Sequence, residues 1–327
     1  MKFRTELEVS PAKKQIAIDH SILTIGSCFA ENISTYLRQS FFNLLENPFG
    51  VLYNPFSIAT ALQLILSQKS FTKEDLILHQ GEWHSFWHHS TFSHHNPEIC
   101  LQKINHQIQA AHQFLKQADW LIVTFGTAYV YLHRQLKSVV ANCHKLPEAH
   151  FHRKLLTVEE ITYKWQQTVG LLKKFNPELK IILTISPVRH FRDGFIENQK
   201  SKATLILATH QILTQTKDHF YFPAYEIVLD DLRDYRFYEA NLTHPNQLAV
   251  DYIWKKFQKM FFTKTTRQSV SELLKFRSRL THKVRNPHSP QALLFMEETR
   301  KQWLELKQRY PHLHNKPAPF AEDKNSL

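Results

Sequence analysis

Glycine is scarce here, with six in 327 residues. A chain so poor in the most permissive residue places each glycine where a turn or a close backbone approach requires it. Cysteine is scarcer still: Cys28, Cys100 and Cys143 are too few for a disulfide framework, which excludes a small disulfide-built secreted scaffold. No run of about 18 apolar residues occurs, so no membrane-spanning helix is expected. The opening MKFRTELEVSPAKKQIAID has no apolar core of signal-peptide type. These absences predict a reducing, cytoplasmic setting. Internal repeats and low-complexity tracts are missing too, which excludes solenoids and arrays.

What is present suits a globular α/β protein. Hydrophobic residues make up 43% and charged residues 21%, enough apolar content at this length for a full core. Short all-apolar runs alternate with helical patterns. Strands are expected at 21–26, 40–45, 120–126, 180–186 and 225–230. Helices are expected at 28–39, 54–68, 97–118, 158–174, 198–216 and 246–262. Such alternation predicts a mainly parallel sheet covered on both faces, a three-layer α/β/α sandwich, over residues 1–262.

Past residue 262 the character changes. Residues 263–327 hold 13 Lys and Arg against 6 Asp and Glu, a large share of the overall +12. Residues 268–280 and 290–310 read as basic helices in an extension spanning 263–310, and 311–327 has too little apolar content to pack. The basic excess fits a solvated appendage. A polyanion or nucleic-acid partner is the alternative, although no nucleic-acid motif accompanies the charge.

In open parallel sheets, sites form beyond the carboxyl ends of the strands. Polar clusters stand at four of those ends. Ser27 and Cys28 follow the first strand, where a helix start favours negative charge and a thiolate. Thr127 follows Gly126, and Arg189 and His190 follow Ser186-Pro187. His244 precedes Pro245 and a helix, where it could reach the first loop as a base. His84, His88, His89, His94 and His95 crowd one segment, but no carboxylate or cysteine lies at ligand spacing, so no metal is expected.

These motifs resemble the GSCFA family, a branch of the SGNH/GDSL hydrolase-like proteins. TIGSCFAENI carries its naming motif. NPFGVLYNPFSI (47–58), WHSFWHHSTFS (83–93), VTFGTAYVY (123–131), ANCHK (141–145), ISPVRH (185–190), ENQKSKA (197–203) and LRDYRFYEANLTHPN (232–246) look like its other blocks, in family order. The resemblance implies a flavodoxin-like sandwich and ester-directed chemistry without a cofactor. An ungapped alignment puts Cys28 in the nucleophile's place, and a shift by one puts Ser27 there. Gly50 resembles the second-block oxyanion glycine. The third-block asparagine is replaced by Ala128, leaving Thr127, Asn142 or backbone N–H groups to hold the oxyanion.

The fifth block, usually Asp-x-x-His, here reads Asn241-Leu242-Thr243-His244. An asparagine orients imidazole less well than a carboxylate for a serine, and a cysteine nucleophile suffers less. The expectation is an acyl-ester hydrolase or acyltransferase working through Cys28 or Ser27, with His244 as base oriented by Asn241. Gly50, Thr127, Asn142, Arg189 and His190 would line the pocket, for a small-molecule or carbohydrate ester. The other readings are an SGNH-like binding protein that has lost catalysis, or the polyanion binder above.

Overall fold

A computed structural model of the protein describes residues 4–216, 218–282, 286, 288–314 and 316. The run SILTIG forms β1 (Ser21–Gly26), and α1 (Cys28–Gln39) starts after the single intervening residue Ser27. β2 (Asn43–Glu46) and α2 (Pro55–Leu66) follow. A hairpin of β3 (Ile77–His79) and β4 (Glu82–His84) leads into α3 (Pro97–Lys116) and β5 (Trp120–Phe125). β6 (Tyr129–His133), β7 (Ser138–Val140) and β8 (Phe151–Leu155) make a small antiparallel sheet with β6 in the middle. Next come α4 (Val158–Phe175), β9 (Lys180–Ile185), α5 (Phe195–Thr214), β10 (His219–Phe222), α6 (Ala224–Asp230) and α7 (Gln247–Phe261). The described chain closes with α8 (Lys264–Leu280), α9 (Pro290–Arg309) and a 3₁₀ turn.

The central sheet runs β10-β9-β5-β1-β2 with every pair parallel. Alternation along each strand splits the core into two layers. Leu23, Leu121, Val123, Ile181 and Leu183 pack on α2, α3, α4 and α5. Ile22, Trp120, Ile122 and Ile182 pack on α1, α6 and α7. Helix starts follow from side chains that accept otherwise orphaned N–H groups: Asn54, Asn96, Thr157 and Asn246 each cap a helix. Prolines at the first turns of α2 and α3 fit the same positions. The three-layer α/β/α architecture expected from the alternation is what the chain forms.

Two elements differ from the sequence expectation. The run at 225–230 is not a strand but α6, and the last strand is β10 just before it. Ala224, Tyr225, Ile227, Val228 and Leu232 are buried while Leu229 and Asp230 are exposed, a helical spacing that a short apolar run conceals. Residues 40–42 turn rather than extend. Phe41 has φ +61°, and the strand begins at Asn43.

The basic C-terminal helices have their own buried seam. Leu273 and Phe276 of α8 and Trp303 and Leu306 of α9 pack with Phe41, Tyr310 and Leu313. Order thus extends through the Pro311–Leu313 turn, where Leu313 is fully buried. Residues 317–327 lie outside the described residues. Among those described, no helix is long and apolar enough to cross a membrane.

Candidate active site

The chain passes from β1 to β2 on one side and reaches β5 on the other. The carboxyl ends of β1 and β5 therefore diverge into the crevice where such sheets bind ligands. Three loops are stitched together there. Gly26 N–H donates to Asn47 Oδ1 (3.0 Å), and Leu52 N–H to the Gly26 carbonyl (2.9 Å). Gly126 and Thr127 N–H both donate to the Tyr53 carbonyl, at 2.7 and 3.0 Å. Gly26 has φ +145°, and a Cβ there would lie 2.3 Å from the Thr124 carbonyl oxygen, so only glycine ends β1 this way.

Ser27 and Cys28 occupy different surroundings. Ser27 is the N-cap of α1, but its hydroxyl caps no N–H, is buried and has no hydrogen-bond partner. Cys28, the first helical residue, is partly exposed, with its Sγ 3.6 Å from the Tyr53 hydroxyl. Burial, and after it the Cys28 hydrogen bond, raises the Tyr53 hydroxyl well above its ordinary pKa. Tyr53 thus stays protonated and can donate to the sulfur or to an oxyanion beside it.

His190 converges on the same place. Its ring meets the Tyr53 ring edge-on at 5.7 Å, and its backbone N–H donates to Asn198 Oδ1 (2.9 Å). The space a Gly126 Cβ would fill lies 3.2 Å from Ser27 Cβ and 3.4 Å from His190 Nε2. That Nε2 is buried and unpartnered. Burial first, then the nearby Lys202, His244 and Arg153 charges, push His190 down to about 4, so the imidazole is neutral at physiological pH.

Lys202 of α5 is the buried cation behind this edge. Its ammonium donates to the carbonyls of Gly126 (2.7 Å) and Ser186 (2.6 Å), clamping the ends of β5 and β9 together. Burial lowers its pKa to about 7. Immediately before it in sequence, Ser201 Oγ accepts from Ala128 N–H (2.8 Å) and bonds Thr127 Oγ1 (3.0 Å).

The loop before α7 reaches the same edge, because Arg189 N–H donates to the Thr243 carbonyl (3.0 Å). Asn241 does contact His244, but with a particular polarity. Asn241 Oδ1 accepts the backbone N–H groups of Thr243 (2.9 Å) and His244 (3.1 Å), which only an oxygen can do. Its Nδ2 therefore faces His244 Nδ1 at 3.0 Å. A donor on Nδ1 leaves the neutral ring's proton on Nε2. No hydrogen bond joins His244 to Ser27 or Cys28 among the described residues. Of the carboxylates nearby in sequence, neither orients the ring: Glu239 meets His244 through its backbone N–H, and Asp234 caps the 3₁₀ turn Tyr235–Phe237.

The other expected pocket residues divide. Gly50 N–H already donates to the Asn47 carbonyl (2.7 Å), and Thr127 Oγ1 is held by Ser201. Asn142 lines a cavity of about 900 Å³ together with Tyr53, His89 and Arg134. Arg189 faces a smaller cavity of about 200 Å³ beside Tyr225 and Tyr238, and makes no ion pair with Asp193 or Glu197. The histidine-rich segment is mostly structural. His84 bonds Ser93 Oγ (2.6 Å), and His88 stacks on Phe49 at 4.2 Å. Among the described residues, no group of three His, Cys, Asp or Glu side chains is placed to hold a metal ion.

Tyr53, Asn198, Ser201 and Lys202 are absent from the residues singled out by sequence. All four fall in the 47–58 and 197–203 blocks, and a lysine among apolar helix positions was the available signal.

Two solved structures are similar in outline. One is a carbohydrate esterase family 3 protein from Talaromyces cellulolyticus, with TM-score 0.35 and 8% identity over 77% of this chain and 99% of that one. The other is an acetyl xylan esterase from the rumen bacterium Butyrivibrio proteoclasticus, with TM-score 0.37 and 10% identity over 81% and 65%. A search of curated proteins finds no match. The model of the GSCFA family matches residues 21–257, most of the chain. This protein belongs to the GSCFA family.

Proposed function

We propose that the protein transfers an acyl group from an ester, to water or to another acceptor, through a thioester on Cys28. The observation that carries this reading is the contrast at the first loop. Cys28 is partly exposed and bonded to a protonated Tyr53, whereas Ser27 is buried beside it. A nucleophile has to meet its substrate, and Cys28 is the one that can.

In this reading His190 takes the thiol proton. Its neutral ring and unpartnered Nε2 at the Gly126 edge suit a base better than His244, whose Nε2 carries hydrogen. The thiolate adds to the ester carbonyl. Tyr53 Oη–H and the uncapped first-turn N–H groups of α1 stabilise the oxyanion. The C–O bond then breaks, the alkoxide recovers the proton from His190, and water or an acceptor alcohol cleaves the thioester to restore the thiol. His244 donates from Nε2 to the substrate.

Incubation with p-nitrophenyl acetate, followed by intact mass, tests this. Wild type should gain one acetyl group on Cys28 and show a burst. Cys28→Ala should lose both, Ser27→Ala should keep the acetyl group, and His190→Gln should slow acylation by about 100-fold or more. An unchanged burst in Cys28→Ala would sink the proposal.

A further inference from the structure

The cavity beside Tyr53 is lined by more cations than carboxylates. It has a volume of about 900 Å³, at the upper end of ligand-pocket sizes, and its cations are Arg134, Lys145, Arg153 and Arg192 against the carboxylates Glu148 and Asp193. Arg153 is committed: it pairs with Asp193 and its guanidinium lies 4.7 Å from the Tyr129 and Tyr131 ring centres. Arg192 pairs with Glu148. Arg134 and Lys145 have no carboxylate partner among the described residues, so the wall keeps two uncompensated positive charges.

Both free cations sit on anchored backbone. Lys145 lies in a left-handed conformation (φ +59°) on a loop fixed from below. The Ala141 and Asn142 N–H groups donate to the Phe86 carbonyl, and the buried His144 ring bonds the Ser85 carbonyl at 2.8 Å. Arg134 leaves the end of β6 with its N–H on the His150 carbonyl (2.9 Å). Uncompensated like charges facing one cavity repel each other and favour an anion between them. Tyr53, Tyr131 and Phe151 add aromatic side chains to the lining of the same cavity, and Tyr53 also touches the Cys28 sulfur.

We infer that the ester substrate is an acylated sugar carrying a phosphate or a carboxylate, its anionic group held by Arg134 and Lys145 while its acyl group reaches Cys28 past Tyr53. This rests on the acyl-transfer reading for the fate of the acyl group, but anion binding is measurable without turnover.

Calorimetry with glucose 6-phosphate, glucuronate and glucose, on wild type and on Arg134→Ala combined with Lys145→Ala, tests it. At least one of the two anionic sugars should bind wild type at least about tenfold more tightly than glucose, more weakly as salt rises. The double variant should lose that preference. Preference for the phosphate or for the carboxylate identifies which anion the site takes. Equal binding of all three sugars by wild type, or a preference that survives the double substitution, would overturn the inference. If p-nitrophenyl acetate fails to acylate wild type, the ester reading falls, whereas an Arg134- and Lys145-dependent anion preference would still stand.

Discussion

A methyl group added at Gly126 would meet three parts of the site at once. It would sit 3.0 Å from the Tyr53 carbonyl oxygen, 3.2 Å from Ser27 Cβ and 3.4 Å from His190 Nε2. Contacts of that size are tight but allow small shifts, so Gly126→Ala should fold. The shifts, however, fall on the loop carrying Cys28 and on the proposed base. Misplacement on the scale of an ångström can cost about 100-fold in rate. The expected outcome is near-native thermal unfolding with acylation slowed by at least about tenfold, measured by burst kinetics. Gly26→Ala is the contrasting case, because its Cβ would run into the Thr124 backbone itself, and loss of folded protein is expected. The residue types at this edge were legible from sequence: Ser27, Cys28, His190 and His244 stood out as polar groups after strands. Their pairing was not. Which histidine presents a free nitrogen depends on where Asn241 turns its amide, and two backbone N–H groups fix that.

At the scale of elements, α5 does more than cover the sheet. Lys202 reaches from it to the carbonyls ending β5 and β9, with no carboxylate in the contact and the Tyr225 ring 5.4 Å away. A lysine buried with a pKa near 7 binds its proton less tightly than the unfolded chain does. Between about 7 and the ordinary 10.5, the unfolded state holds more protons, so folding stability should rise with pH across that window. Lys202→Met keeps the length and removes the titration. Urea midpoints from pH 7 to pH 9.5 should climb in wild type and stay flatter in the variant. The variant also leaves two carbonyls unpaired beside Gly126, so its acylation should be slower as well. Equal slopes in the two proteins would mean that Lys202 does not titrate in this way. The helix carrying Lys202 is legible by its period, but the carbonyls its side chain reaches are not, because packing alone brings the ends of β5 and β9 beside it. The seven residues of α6 are too few for a helical period to show against a strand, whereas the 20 residues of α3 declare themselves by period alone.

Across the whole molecule, the abundance of histidine turns into an acid sensitivity. There are 21 in the chain, and several are buried with a ring nitrogen that has no hydrogen-bond partner among the described residues. Burial pushes His88 down to about 3, and His144, His190, His219 and His312 down to about 4. They are spread over the cavity loop, the candidate site, the edge strand β10 and the C-terminal seam, so the effect belongs to the fold rather than to one element. Between the ordinary value of 6.5 and these lowered ones, the unfolded chain is protonated where the folded chain is not. Stability is therefore present above pH 6.5 and drains away as pH falls towards 4. His219 isolates one contribution, because both of its ring nitrogens are buried and unpartnered. His219→Leu removes that proton and should reduce the slope of unfolding free energy against pH by up to about 1.4 kcal/mol per pH unit in this window. Denaturant melts at half-unit steps from pH 7.5 to 4.5 measure both slopes. A wild-type stability that stays level over that range would show that these rings take up protons in place, and that the interior around them is wetter than their burial implies.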